Sequence, residues 1–321
     1  MKIDNQYCSP SAQDNGPTCL SKKSLKYLID TYNNSIKNNK DKIIYYDNNT
    51  QLELFKKLDK KMKKKTKGTG KYWFWPNIIK NLVPIKNINT NLIIKNIKNI
   101  ETFELKPELP LEWLKNPNEW LSNYDIDHIM FQYNNAPKYS YKYLGTFSID
   151  FALKNDKGFC LYSDFCNINI KNYINNKIKY IGFITNLDKH DEPGSHWTST
   201  FIIIDYKNKS YGAYYYDSVA RKIPKLIKDF LNNIKKQCNI LYPKIEFVIK
   251  YNYKQHQYEN TECGMFSIIY QLRWINFLYR NKDTKFKKIV ESILLNDKNV
   301  NSIRKNIYRP NYKQLNNISK K

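Results

Sequence analysis

The chain holds no run of about 18 apolar residues, which excludes a transmembrane helix. Its opening, Met1-Lys2-Ile3-Asp4-Asn5, has no apolar stretch, so no secretory signal is expected. Six cysteines stand at 8, 19, 160, 166, 238 and 263, and no two form a C-x-x-C pair. That leaves a zinc or redox motif without support. In a chain of this length without a signal peptide, a disulfide framework is not expected either. The cysteines therefore read as free thiols in a reducing compartment, one of which could be a nucleophile. Glycine is scarce, while lysine, asparagine, isoleucine and tyrosine abound. That bias fits an AT-rich genome better than a demand of folding. Histidine is also rare, with four residues, so a catalytic base is easily searched for.

What is present suffices for a folded protein. Hydrophobic residues make up 41% and aromatics 15%, which excludes wholesale disorder. A length of 321 residues suits one or two domains. The formal charge of +25 favours anionic partners such as nucleic acid, acidic protein tails or a membrane surface. A lysine-rich genome would load any surface in the same way, so both readings stay open.

The basic residues are densest early. Lys56, Lys57, Lys60, Lys61, Lys63, Lys64, Lys65 and Lys67 crowd one stretch that ends at Gly68-Thr69-Gly70. Before it, 18–32 reads as a helix, with Ser21 as N-cap and Leu25, Leu28, Ile29 and Tyr32 at helical spacing. A second helix is predicted over 51–63, with Leu52, Phe55 and Leu58 on one face. Such a module could grip phosphates through its lysines, or stand as a solvated arm. Tyr72 to Pro76 form an aromatic knot, and 87–100 shows no clear period. Lys106-Pro107-Glu108-Leu109-Pro110 reads as a linker. The predicted domains are 1–105, a basic and mostly helical arm, and 106–321, the core.

Within the core, helices are predicted over 118–133, 223–236 and 263–280. Strands are predicted over 180–187, 197–206, 211–216 and 245–251, the middle two joined through Lys207-Asn208-Lys209 as a hairpin. Strands clustered between helices argue an α+β fold.

Three residues then stand at chemically meaningful places. Cys263 opens the last, strongly apolar helix. A helix N-terminus carries partial positive charge and free N–H groups, which favour an anionic sulfur and can hold an oxyanion. A buried cysteine capping a core helix is the plainer alternative. His196 enters one predicted strand and Asp217 ends its partner, so the hairpin sets them nearly opposite. That suits a carboxylate that orients an imidazole, although a strand-ending turn and a surface histidine would look the same. Gln257, six residues before Cys263, could donate to an oxyanion. His256 is a rival base, with Glu259 and Glu262 as its nearest carboxylates. His128 and His190 read as structural or solvated.

Gly194-Ser195-His196-Trp197 opening a strand, Tyr214 to Ser218 closing the next, and Gln257 before Cys263-Gly264 together resemble the SUMO-protease and adenovirus-protease group of cysteine peptidases. The 118–130 segment is similar to that group's early Trp-Leu helix. The whole is most similar to maturation proteases of large DNA viruses, of the African swine fever virus type and its giant-virus relatives. The resemblance covers roughly residues 110–280. It implies a papain-like or adenain-like core, with a mixed sheet flanked by helices. It implies Cys263 as nucleophile, His196 as general base and acid, Asp217 as its orienting carboxylate and Gln257 in the oxyanion hole. Trp197 and Trp120 would wall a tunnel that admits only residues without side chains, such as a Gly-Gly pair. No metal and no organic cofactor is implied. Glu262 and Asn123 depart from the group's usual aspartates, and the gap from His196 to Asp217 is a few residues longer than in the cellular enzymes.

The expectation is therefore a cysteine endopeptidase that processes viral structural polyproteins or core precursors during virion maturation, in the virion and host cytoplasm. Its partners would be a protein substrate and, through the basic arm, DNA, with no membrane. Two alternatives are kept: a deconjugase for SUMO- or ubiquitin-like tags, and a non-catalytic nucleic-acid-binding virion protein on the same fold.

Overall fold

The computed structural model describes residues 5–68, 70–84, 90–280 and 285–314. The chain divides into two compact units, Met1–Leu114 with Arg304–Lys321, and Lys115–Ile303. The sequence reading assigns 304–321 to the core. A buried Arg309 accounts for its place in the first unit. Its guanidinium donates to the carbonyls of Trp73 and Lys106, at 2.6 and 2.8 Å, and pairs with Glu101 and Glu108.

The first unit is helical. Helix α1 spans Lys22–Asn34, and Ser21 caps it by accepting from the Ser24 N–H. Helix α2 spans Gln51–Met62 and starts with a capping box between Thr50 and Glu53. Leu54, Phe55, Leu58 and Met62 are its buried face, whereas Leu52 is 37% exposed. The predicted stripe is thus rotated, with Leu54 in the place given to Leu52. The aromatic knot is core: Phe55 lies 4.9 Å from Trp75 and 5.4 Å from Tyr72, ring to ring. Helix α3 covers Trp75–Leu82, and α4 covers Thr90–Glu104. The sequence gives no period for 87–100. Residues 87–89 lie outside the described residues, and the rest is helical, with Ile97 and Ile100 inward.

The second unit is built on a five-stranded mixed sheet, which is the predicted α+β class. Helix α5 is Asn123–Met130, and strand β1 is Tyr141–Phe147. Short helices α6 (Ser163–Cys166) and α7 (Ile170–Asn175) precede β2 (Tyr180–Asn186). Then come β3 (Trp197–Ile203), β4 (Gly212–Tyr216), α8 (Lys225–Leu241), β5 (Val248–Tyr251) and α9 (Cys263–Tyr279). The strands lie in chain order. The outer pairs β1–β2 and β4–β5 are parallel, and the inner pairs are antiparallel.

Both faces of the sheet are covered, so its central strands are buried on both sides rather than alternating between buried and exposed. On one face α9 brings Trp274 and Tyr270 onto Phe201 and Tyr216, with ring centroids 5.2 and 4.6 Å apart. The buried Gln271 of α9 donates to the Thr200 carbonyl and Ser199 hydroxyl and accepts from Tyr141, tying the helix to β1 and β3. On the other face Phe230, Leu231 and Ile234 of α8 meet Phe151, Phe183, Ile202 and Tyr215. Among the described residues no helix is long and apolar enough to cross a membrane.

Two expectations are corrected. Helix α5 starts at Asn123, because Ser122 and Asp125 form a capping box there, so Trp120 and Leu121 precede the helix. Not all cysteines are free thiols: Cys8 is joined to Cys19, and Cys160 to Cys166. The partners stand 11 and 6 positions apart, spacings that no C-x-x-C motif would signal. Cys238 and Cys263 are free and buried.

Candidate active site

The site gathers where β3 begins, β4 ends and α9 begins. His196 directly precedes β3, and its carbonyl accepts from the Leu187 N–H at 2.9 Å. The turn before it is pinned by two side chains of the β2 end. Asn186 accepts from the Ser195 N–H, and Asp188 accepts from the Gly194 N–H and the Ser195 hydroxyl. Gly194 has φ +94°, a region that disfavours any side chain.

Asp217 directly follows β4. Ser199 pairs with Tyr216, so extending the register puts Asp217 opposite Thr198. His196 is then its diagonal neighbour, two residues along, a separation that an imidazole spans. His196 Nε2 lies 2.7 Å from Asp217 Oδ1, and Asp217 is fully buried. The Val219 N–H donates to the same carboxylate oxygen at 2.9 Å. Asn252 holds the backbone of Asp217 from both sides. Its Oδ1 accepts from the Asp217 N–H at 2.9 Å, and its Nδ2 donates to the Asp217 carbonyl at 2.7 Å.

Cys263 is the first residue of α9, where the N-cap Glu262 offers no capping bond to the first turn. The backbone N–H groups of that turn therefore face the site without an intrahelical partner. Gly264 lets the helix start close to Trp197: a Cβ there would lie 3.1 Å from Leu121 Cβ and 3.3 Å from Trp197 Cδ1. Ser267, one turn on, donates to the Trp197 carbonyl at 3.2 Å. The helix start is thereby fastened to the residue after His196, which sets Cys263 close enough to the His196 ring to act on its charge. Burial alone would push the imidazole down. The hydrogen bond to Asp217 and the interaction with Cys263, with their charges, outweigh it and hold the ring at about 9.

The rival base sits in a different setting. His256 is buried beside Tyr216, whose hydroxyl lies 2.9 Å from Nδ1. Burial, then the nearby Lys254, pushes it down to about 4, so it is neutral at physiological pH. His190 lies apart, with Nδ1 2.6 Å from the buried Asp150. The other free thiol, Cys238, is pushed up to about 11 by burial.

Gln257 is buried and turned towards Ser218. Its Oε1 accepts from the Ser218 hydroxyl at 2.6 Å, and its Nε2 donates to the Glu259 carbonyl at 2.7 Å. Glu262 is also buried, held by the Thr261 N–H and by Asn301 Nδ2. Trp197 and Trp120 both line a cavity of about 450 Å³ that reaches Ser122, Asn186 and Glu192. Trp197 is fixed by donating its indole N–H to the Leu121 carbonyl at 2.9 Å, while Trp120 is 45% exposed. The structure thus pairs His196 with Asp217 and sets Cys263 beside the same ring, puts Gln257 beside the residue after Asp217, and puts both tryptophans on one cavity. Sequence reasoning missed Asn252 and Ser218. The only signal for Ser218 was its place after Asp217.

The comparisons with known proteins agree with this fold. No family model matches the chain. A protein of Acanthamoeba polyphaga mimivirus named as a thiol protease is 31% identical over 196 residues, 53% of this chain. A cysteine protease of African swine fever virus is 22% identical over 180 residues, 52% of this chain. The chain spans 59% and 62% of the length of these two relatives. A crystal structure of the African swine fever virus protease superposes with a TM-score of 0.57 at 16% identity, covering 95% of this chain and 96% of that one. The protease domain of Ulp1, solved with the yeast SUMO orthologue, gives 0.36 at 16% identity over 64% of this chain and 80% of that one. The chain therefore has homologues among viral proteins named thiol or cysteine protease, and it shares the fold of the African swine fever virus protease.

Proposed function

We propose that the chain is a cysteine endopeptidase acting through Cys263, His196, Asp217 and Gln257. One observation carries this reading: a buried imidazole, paired on Nε2 with the carboxylate of Asp217, stands beside the thiol that opens α9 and is raised by both. An imidazolium that persists to about pH 9 is suited to stabilise a thiolate and to supply a proton. The thiolate attacks the peptide carbonyl. The Cys263 N–H and the Gln257 side chain hold the oxyanion. His196 gives its proton to the departing amine, then takes one from the water that hydrolyses the thioester.

The substrate class follows from two supports. The named relatives are viral proteases, and two indoles stand on one cavity. Residues without side chains pass between such walls best. We therefore assign viral structural polyproteins or core precursors, cut after a Gly-Gly-like pair during virion maturation. The first unit, predicted as a basic arm, would hold the enzyme near packaged DNA. Lys56, Lys60, Lys63, Lys64, Lys65 and Lys67 are all exposed there. Binding to duplex DNA that weakens steeply with salt is expected; no binding, or binding indifferent to salt, removes that part.

The test of the chemistry is alkylation with iodoacetamide across pH, wild type beside His196→Ala, with the labelled residue located by mass spectrometry. Fast labelling of Cys263 near neutral pH, slowed by the substitution, is the expected result. Cys238 should stay unlabelled, since burial raises its thiol to about 11. Equal slow labelling of both would leave only a shared fold.

A further inference from the structure

We propose that Ser218 is a positioning residue for the oxyanion donor Gln257, so that one turn after β4 sets both the imidazole and the oxyanion hole. The proposal rests on the reading above, in which Gln257 donates to the oxyanion.

The argument is one of hydrogen-bond polarity. Ser218 and Gln257 are buried, at 1% and 2% exposure. One end of the Gln257 carboxamide faces the Glu259 carbonyl at 2.7 Å. A backbone carbonyl only accepts, so that end is the NH₂ group. Oε1 therefore faces Ser218, and at 2.6 Å the serine hydroxyl must be the donor. A primary amide nitrogen carries two N–H groups. Glu259 takes one, and the second is the one an oxyanion would use. With the carboxamide reversed, an oxygen lone pair would replace a donor and repel the developing charge.

Ser218 also fixes the backbone of the same loop. Its carbonyl accepts from the N–H of His256 at 2.8 Å and of Gln257 at 3.0 Å. Residue 257 is thus held by Ser218 at its main chain and at the tip of its side chain. One residue earlier, Asp217 takes the imidazole. Removing the hydroxyl leaves Oε1 buried without its donor, so the Glu259 carbonyl alone still holds the carboxamide and its free N–H loses its fixed direction.

Two reactions of Cys263 separate this role from a merely structural one. Alkylation by iodoacetamide displaces iodide at a saturated carbon and forms no oxyanion, so it reports the thiolate–imidazole pair alone. Hydrolysis of an acyl-Gly-Gly-aminomethylcoumarin peptide passes through an oxyanion. Ser218→Ala should leave the alkylation rate unchanged and lower kcat about 10- to 100-fold with KM little changed, somewhat less than removing an oxyanion donor outright. In a Gln257→Ala background, Ser218→Ala should cost nothing further. Ser218→Cys, which keeps a weak donor, should fall between wild type and alanine in hydrolysis, and it serves if the alanine variant does not fold. Equal slowing of alkylation and hydrolysis, or the same loss in both backgrounds, would overturn the proposal while the protease reading stands. A wild type that does not hydrolyse the peptide would overturn the reading, and this proposal with it.

Discussion

Two histidines with nearly equal burial, His196 at 9% exposure and His256 at 4%, are driven in opposite directions. His196 is held at about 9 and His256 is pushed down to about 4. The difference begins at two consecutive residues of the chain. Tyr216 ends β4 and meets His256, while Asp217 follows it and meets His196. Successive residues of an extended chain point to opposite sides, so one step along the backbone offers one ring a hydroxyl and the other a carboxylate. Burial alone lowers an imidazole. Only a charged, hydrogen-bonded partner reverses that. Which of the two imidazoles keeps its proton is therefore decided by the end of β4 rather than by the histidines themselves.

The comparison breaks most sharply if the carboxylate is made neutral. Asp217→Asn gives His196 an amide partner, which leaves it closer to the state of His256. Activity should fall about 10³- to 10⁴-fold, as for orienting aspartates elsewhere. With only four histidines in the chain, the ring signals can be followed individually by NMR. The His196 midpoint should move down from about 9. A midpoint that stays there would mean that Cys263 alone holds the proton. Asn252→Ala tests the same carboxylate through its support. Loss of the clamp on both backbone groups of Asp217 lets the carboxylate drift, and a displacement of about 1 Å costs about 10²-fold in rate. The alkylation rate should fall with it, unlike that of Ser218→Ala.

The two rings should also give stability opposite dependences on pH. His196 binds its proton more tightly folded than unfolded, so its contribution is complete below about 6.5 and is lost as pH rises through about 9. His256 binds its proton more weakly folded. Its contribution is complete above about 6.5 and is lost as pH falls towards about 4. Each shift is worth on the order of 3 kcal/mol. Melting temperatures of wild type against His196→Gln should converge from pH 6.5 to 9, and those against His256→Gln from 6.5 to 4. Parallel curves in either range would remove the corresponding assignment. Turnover should decline above about pH 9, where the proton for the leaving amine is lost, while alkylation of Cys263 should not.

The sequence showed those parts of this arrangement that sit at the ends of regular elements. Helix α9 is legible because Met265, Ile268, Ile269, Leu272, Ile275 and Leu278 recur at helical spacing after Cys263. Strands β3 and β4 are legible as β-rich runs flanking a polar turn, although the connection is longer than Lys207-Asn208-Lys209, since β3 ends at Ile203 and β4 starts at Gly212. His196, Asp217 and Cys263 each mark such an end, which is why they drew attention before any geometry. Strand β1 escaped notice because its register shifts between Tyr143 and Thr146 around a Gly145 with φ +135°. Asn252 and Ser218 carry no periodic signal at all. Their meaning lies in partners 35 and 39 positions away, which only the parallel placement of β5 beside β4 brings near.

The smallest effect on turnover should come from the rival base itself. His256→Gln removes a ring that stays neutral at physiological pH and bonds Tyr216, with no carboxylate partner described. If the base is chosen by Asp217, kcat should be unchanged and its pH profile should not move. Stability should fall by about 1–3 kcal/mol, because the fully buried Tyr216 hydroxyl loses the ring nitrogen beside it when a longer, flexible carboxamide replaces the imidazole. A loss of kcat at constant stability would place His256 in the proton path after all. That result would transfer the role from the β3 side of the site to the loop that leads into α9, where Glu259 and Glu262 would then have to supply the charge that Asp217 supplies to His196.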